Sequence, residues 1–290
     1  MRTMIEEMKE GRRIKSLDPF TTIIPYIMVE RSDSQNTITD CFDVSGAEAL
    51  IRKLRAEGYD SIGILHIVLA AYVRAISQRP GVNRYIRGQK IYARKGIVIN
   101  MAVKKKMSIS GRETTIKLHF EPSDTLYDVY KKFNDLLTET LQDDGSENST
   151  DSAAKIIGFI PGLIKKWVIW FLKLLDYFGL LPMALLNASP FHGSMFVTSM
   201  ASLNIPPIRH HLYNFGNVPV FIAFGAKRPE LVLDVDGNVT KRKVVDFVAN
   251  LDERICDGYY YASALKIFKK YLTYPEGLLE APEEVVEDLP

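Results

Sequence analysis

The stretch that most constrains this chain runs from Val244 to Leu272. Val244-Val245-Asp246-Phe247-Val248-Ala249-Asn250-Leu251 mixes apolar and polar residues as a strand does, and Ala262 to Leu272 repeats its apolar residues at helical spacing. Between them lie Asp252-Glu253-Arg254-Ile255-Cys256-Asp257-Gly258 and three tyrosines, Tyr259, Tyr260 and Tyr261. A strand that breaks at Asp-Gly and re-enters as a helix presents loop side chains from a rigid frame. Asp-Gly is equally the composition of a plain tight turn. Local pattern alone leaves both readings open.

The remainder of the chain suits a globular α/β protein. With 290 residues and 47% hydrophobic content it can bury a substantial core, as one large domain or two small ones. A formal charge of +2 and the lack of a long basic tract argue against nucleic acid as a partner. Cys41 and Cys256 are too few and too isolated for a metal site or a disulfide framework, so no metal is expected and the expected compartment is the reducing cytoplasm. Cys256 reads as a small buried filler rather than a reactive thiol. Met1 to Lys15 is too charged for a signal peptide, and no uncharged apolar run reaches the roughly 18 residues of a spanning helix.

In chain order, β-branched and aromatic residues predict extended segments at Phe20 to Val29 and Thr37 to Val44. Gly46 to Gly58 and Ile62 to Gln78 predict helices, the second buried, with His66 a core histidine. Pro80-Gly81 ends that helix. Strands are predicted at Val82 to Ile86, at Lys90 to Tyr92 and onward to Ile97–Val103, and at Thr114 to Phe120. A charged helix follows at Thr125 to Leu141, then a solvated loop over Asp143 to Thr150. Gly193 to Ser199 and Asn214 to Ala226 read as strand segments, and Arg228 to Lys243 as a hairpin turning at Asp236-Gly237-Asn238.

Residues 153–190 stand apart. On a helical wheel from Leu163 to Phe178, Lys165, Lys166, Lys173 and Asp176 fall within about 100°, and most of the remaining circumference is apolar, with Trp167 and Trp170. Three uses fit such a helix. It can lie in a membrane interface, pack against this protein or a subunit partner, or wall an apolar tunnel for a long acyl chain.

Several segments together resemble one family. Asp252, Arg254, Asp257 and Gly258 are similar to the Asp-His-Arg-x-x-Asp-Gly signature of the dihydrolipoamide acyltransferases of 2-oxo acid dehydrogenase complexes, within the chloramphenicol acetyltransferase-like superfamily. Pro80-x-Val82-Asn83 with Asn100-Met101-Ala102-Val103 resembles the family's middle. Gly193-Ser194-Met195-Phe196-Val197-Thr198-Ser199 resembles its Gly-Thr-Phe-Thr-Ile-Ser/Thr-Asn strand, and Val218 to Gly225 its next strand. The departure is Glu253, which stands where the family has its catalytic histidine. Residues 153–190 read as an insertion relative to the family.

The resemblance implies that residues 1–290 form a single acyltransferase-like catalytic domain, a chloramphenicol acetyltransferase-like α/β sandwich with a mixed sheet flanked by helices, assembling as a homotrimer. It implies acyl transfer from a coenzyme A thioester to a thiol or hydroxyl acceptor at a subunit interface. In the family a histidine takes the proton from the attacking group and a hydroxyl donates to the oxyanion. Carried over, Ser199 is the oxyanion donor, Asp257 a structural carboxylate and Arg254 the motif arginine. Glu253 occupies the base position, although an ordinary carboxylate is a weaker base than imidazole by about two pKa units. His210 and His211, in the loop after the Ser199 strand, are the other candidates for base, and equally loop histidines without a catalytic role. No lipoyl or peripheral subunit-binding segment is recognised, so a free-standing acyltransferase-like protein is expected. The rival readings are a catalytically inactive trimeric binding or scaffold protein that lost its base, and a protein acting on lipid-like acyl groups at a membrane surface through residues 163–178.

Overall fold

The computed structural model describes residues 10–104, 113–142, 152, 155 and 157–290. The loop expected over Asp143 to Thr150 lies outside the described residues. A six-stranded sheet has the order β2-β9-β8-β7-β5-β6. Its strands are β2 (Gln35–Asp43), β5 (Ile97–Lys104), β6 (Glu113–Phe120), β7 (Met195–Ser199), β8 (Val220–Leu233) and β9 (Val239–Asp252). The sheet is mixed, since β7 runs parallel to β5 and β8 while the other pairs are antiparallel. A small sheet, β1 (Gly11–Arg13), β4 (Lys90–Arg94) and β3 (Arg84–Arg87), lies beside it.

One face of the large sheet carries the core. Met195 and Val197 of β7, Val220, Ile222 and Phe224 of β8, and Val245, Phe247, Ala249 and Leu251 of β9 join one buried cluster with the helices. The alternation of inward side chains along each strand puts them on this face. Against it pack α2 (Ser45–Ala56), α3 (Ile64–Gln78), α4 (Leu126–Gln142) and α7 (Gly258–Thr273), while α5 (Gly162–Tyr177) and α6 (Met183–Ala188) come between α4 and β7 in the chain. Helix α3 is buried along nearly its whole length, as its apolar circumference predicts.

The opposite face has a different cover. A parallel pair needs a crossover of a dozen or more residues, and residues 200–219 provide it between β7 and β8. Pro206, Pro207 and Pro219 oppose regular structure there, and beyond one 3-10 turn at Ala201–Leu203 the crossover is irregular. It crosses β8 so closely that a Cβ on Gly225 would meet Pro207 Cδ at 2.6 Å.

One predicted segment is corrected. Pro19–Ile27 is not extended but helix α1. Asp18 caps it by accepting from the Thr21 N–H at 3.0 Å, and Pro19 sits where helices tolerate proline. The cap outweighed the β-branched composition. The strands read across Val82 to Val103 also divide: β3 and β4 form a hairpin in the small sheet, and only β5 enters the large one.

Candidate active site

The Asp252-to-Gly258 segment folds into a buried electrostatic knot. Arg254 donates through Nε and Nη2 to the two Asp252 carboxylate oxygens, each at 2.8 Å, and both side chains are buried. Ser34 Oγ donates to Asp252 Oδ1 at 3.1 Å, and Arg31 Nε lies 3.4 Å from Oδ2. The remaining donors reach across the fold. Arg254 Nη1 binds the Met28 and Val29 carbonyls after α1, and Arg31 donates to the Tyr213 and Gly216 carbonyls of the crossover loop. Arg254 therefore ties β9 to α1, while Asp252 and Arg31 hold the crossover loop.

Asp257 caps α7 by accepting from the Tyr260 N–H at 2.8 Å, a backbone partner rather than a charged one. Cys256 is buried, and burial pushes its thiol up to about 12, which suits a filler. Glu253 points away from the knot. It is exposed, and its Oε2 accepts from Asn36 Nδ2 at 3.2 Å.

Glu253 and Ser199 are far apart within one chain. Ser199 pairs with Phe224 of β8, four positions beyond Val220, which pairs with Leu251 of β9. Glu253 lies two residues past Leu251, so about 20 Å of sheet separates the two along the strand direction. A site using both has to draw them from different subunits.

What surrounds Ser199 is a cavity of about 1370 Å³. Strands β5 and β7 pair from Ile99–Met195 to Met101–Val197, and the cavity opens beyond, where β7 ends. It wraps that end, reaching Ile51 and Phe133 on the helical side and Phe196, His210, Tyr213 and Phe221 on the loop side. Its interior is largely apolar, and Arg52, Arg55, Lys104, Lys227 and Lys243 line its margin. Lys227 and Lys243 pair with Glu48 at 2.7 and 3.4 Å.

Two hydroxyls sit at this strand end. Ser199, on the core-facing alternation of Met195 and Val197, is half-buried, and its Oγ accepts a long hydrogen bond from the Ala201 N–H at 3.4 Å. Thr198 faces the other way, with Phe196. Its Oγ1 is buried without a hydrogen-bond partner, although the side chain lines the cavity. A buried hydroxyl left unpaired is costly, and a role toward a ligand is one explanation for it. Sequence reading passed over Thr198 in favour of Ser199. The signal was present, because an ungapped overlay on Gly-Thr-Phe-Thr-Ile-Ser/Thr-Asn puts the hydroxyl column at residue 198.

His210 completes the arrangement. Its ring stacks on Phe221 with centroids 4.2 Å apart and planes 16° from parallel, and Phe221 stacks in turn on Phe196 at 4.9 Å. His210 and Thr198 thus share one sheet face, one register apart, in the same cavity. His210 Nε2 is buried and unpartnered, and burial, with His211 next to it, lowers the pKa from 6.5 and favours the neutral ring. His211 is exposed and meets Tyr213 edge-on. The loop is pinned by Ala226 N–H to the Ile205 carbonyl at 2.9 Å and by Leu212 N–H to Gln35 Oε1 at 2.6 Å. His66 lines the cavity from the helical side as a core histidine, its Nδ1 accepting from the Gly63 N–H and its ring between Tyr130 and Phe133.

The fold is that of the chloramphenicol acetyltransferase-like proteins, a mixed sheet with helices on one face. Solved structures bear this out. A dihydrolipoamide acetyltransferase of Azotobacter vinelandii, studied for the roles of a serine, a histidine and an asparagine in its catalytic mechanism, aligns with TM-score 0.57 at 12% identity, covering 92% of this chain and 95% of its own. A chloramphenicol acetyltransferase aligns at 0.55 and 13%, covering 91% and 100%. A truncated catalytic core of the 2-oxoacid dehydrogenase multienzyme complex from Thermoplasma acidophilum aligns at 0.54 and 12%, again covering 91% and 100%. No protein-family model and no curated protein matches the sequence.

Proposed function

We propose that this protein transfers acyl groups from a coenzyme A-type thioester to a thiol or hydroxyl acceptor in the cavity at the end of β7. His210 is the base. Neutral His210 takes the proton of the acceptor as it attacks the thioester carbon, and the carbonyl becomes an oxyanion that Thr198 stabilises by hydrogen bonding. Collapse of that intermediate breaks the carbon–sulfur bond, and the imidazolium returns the proton to the departing thiolate.

The observation that carries this reading is the pairing of two unsatisfied groups, Thr198 Oγ1 and His210 Nε2, in one cavity. The apolar interior suits an acyl chain and the cationic margin suits phosphates. In this account Glu253 fills the family's base position without its role, and Asp252, Arg254 and Asp257 hold structure. Assembly as a trimer is part of the proposal. The exposed apolar side chains of α1, among them Phe20 and Ile27, and of the β8–β9 hairpin, Leu231, Leu233 and Val239, are surfaces that association would cover.

The exposed Glu253 favours a second reading, a trimeric acyl-binding scaffold without turnover. Purified protein incubated with a panel of acyl-coenzyme A donors and a thiol trap separates the two. Thioester cleavage that falls in Thr198→Val and in His210→Gln supports transfer. Acyl binding with no cleavage by any donor supports the scaffold.

A further inference from the structure

Helix α5 (Gly162–Tyr177) is independent of the acyl-transfer site, and none of its 16 residues is buried. It nonetheless rests on the protein. Val168, Ile169, Leu172, Leu175 and Asp176 are half-buried and fall on one side of the helix. Its C-terminal end is fastened, with Asp176 Oδ2 3.3 Å from His192 Nε2 and Oδ1 4.0 Å from Arg87 Nε. Tyr177 Oη donates to Gln89 Oε1 at 2.9 Å.

The opposite side is a second apolar face, and it is open. Leu163 is 84% exposed, Trp167 68%, and Ile164, Trp170 and Phe171 each more than half. Lys166 and Lys173 are exposed about 100–120° from the centre of that face, where a long side chain can lift its ammonium to water. From Ser152 to Pro190 the sequence holds four lysines, of which Lys155, Lys166 and Lys173 are exposed while Lys165 is half-buried on the inner side and donates to the Gly158 carbonyl at 3.2 Å; the one acid, Asp176, is turned inward as well.

We propose that α5 docks the protein on an anionic bilayer surface, lying in the plane of the interface with this face among headgroups and upper acyl chains. Tryptophans with flanking lysines on an in-plane helix are the chemistry such a surface selects. The exposed charge of the segment is positive and complements anionic headgroups. Lysine, by contrast, is depleted in contacts between proteins. Among the described residues no helix is long and apolar enough to cross a membrane, so the contact lies on the bilayer.

Trp167 and Trp170 are the only two tryptophans of the chain, so tryptophan emission reads α5 alone. Phosphatidylglycerol–phosphatidylcholine vesicles should shift emission to the blue and carry the protein down in sedimentation. Brominated lipid should quench it, and pure phosphatidylcholine should do markedly less. Lys166→Glu with Lys173→Glu should weaken binding about tenfold or more, with the far-ultraviolet circular dichroism unchanged. Emission and sedimentation that ignore anionic vesicles overturn the proposal. So does emission already blue without lipid and reddening on dilution, which would put α5 between copies of the chain. The brominated-lipid result needs no variant and stands if the lysine variant fails to fold.

Discussion

His210 lies flat on Phe221, 4.2 Å between ring centroids, on the sheet face that also carries Thr198. That stack places an imidazole in the cavity from the same chain that supplies the hydroxyls. The proposed base and the proposed oxyanion donor therefore come from one chain. Because burial favours the neutral ring, the acidic limb of the kcat/KM profile should lie below the ordinary histidine range, and it should vanish in a residual activity of His210→Gln.

Thr198→Val separates catalysis from stability. The oxyanion donor is lost, and kcat should fall by about 10² to 10³. The same change removes a buried hydroxyl that has no partner, so the thermal midpoint should hold or rise. Thr198→Ser should keep most of the activity. A midpoint that drops with Thr198→Val would mean the hydroxyl is bonded in the folded protein.

Arg254→Ala leaves the Asp252 carboxylate buried with weaker partners and frees two carbonyls after α1. Breaking a buried pair from one side costs about 3–5 kcal/mol, which denaturant unfolding can read. Asp252→Asn acts through Arg31 on the crossover loop, so its effect on turnover should exceed what its loss of folded protein explains.

The sequence made much of this frame legible, because period-two alternation in β8 and β9 and the apolar circumference of α3 survive in any fold that buries them. Helix α1 was not legible: Ile23, Ile24 and Ile27 read as strand, while the Asp18 cap and Pro19 at the first turn favour the helix that forms. The candidate site was half legible. Residue types pointed to the end of β7, but the choice of Thr198 over Ser199 rests on which of the two shares a sheet face with His210. That His210 comes to the sheet face of Thr198 depends on a crossover loop with no periodicity to read.

His66 should make stability pH-dependent. Burial pushes its pKa from 6.5 to about 4, so the unfolded chain takes the proton more readily between those values. Stability is then fully present above about 6.5 and lost as pH falls toward 4, by about 3 kcal/mol. His66→Asn should flatten that part of the curve in urea titrations run from pH 7 to 4.

The most direct test of the account compares kcat/KM for thioester cleavage in His210→Gln and Glu253→Gln against wild type, at matched folded concentration. The account predicts a loss of about 10² to 10⁴ for His210→Gln and a change within a few-fold for Glu253→Gln. Collapse in Glu253→Gln with activity kept in His210→Gln would contradict it, and would make the carboxylate of a neighbouring subunit the base.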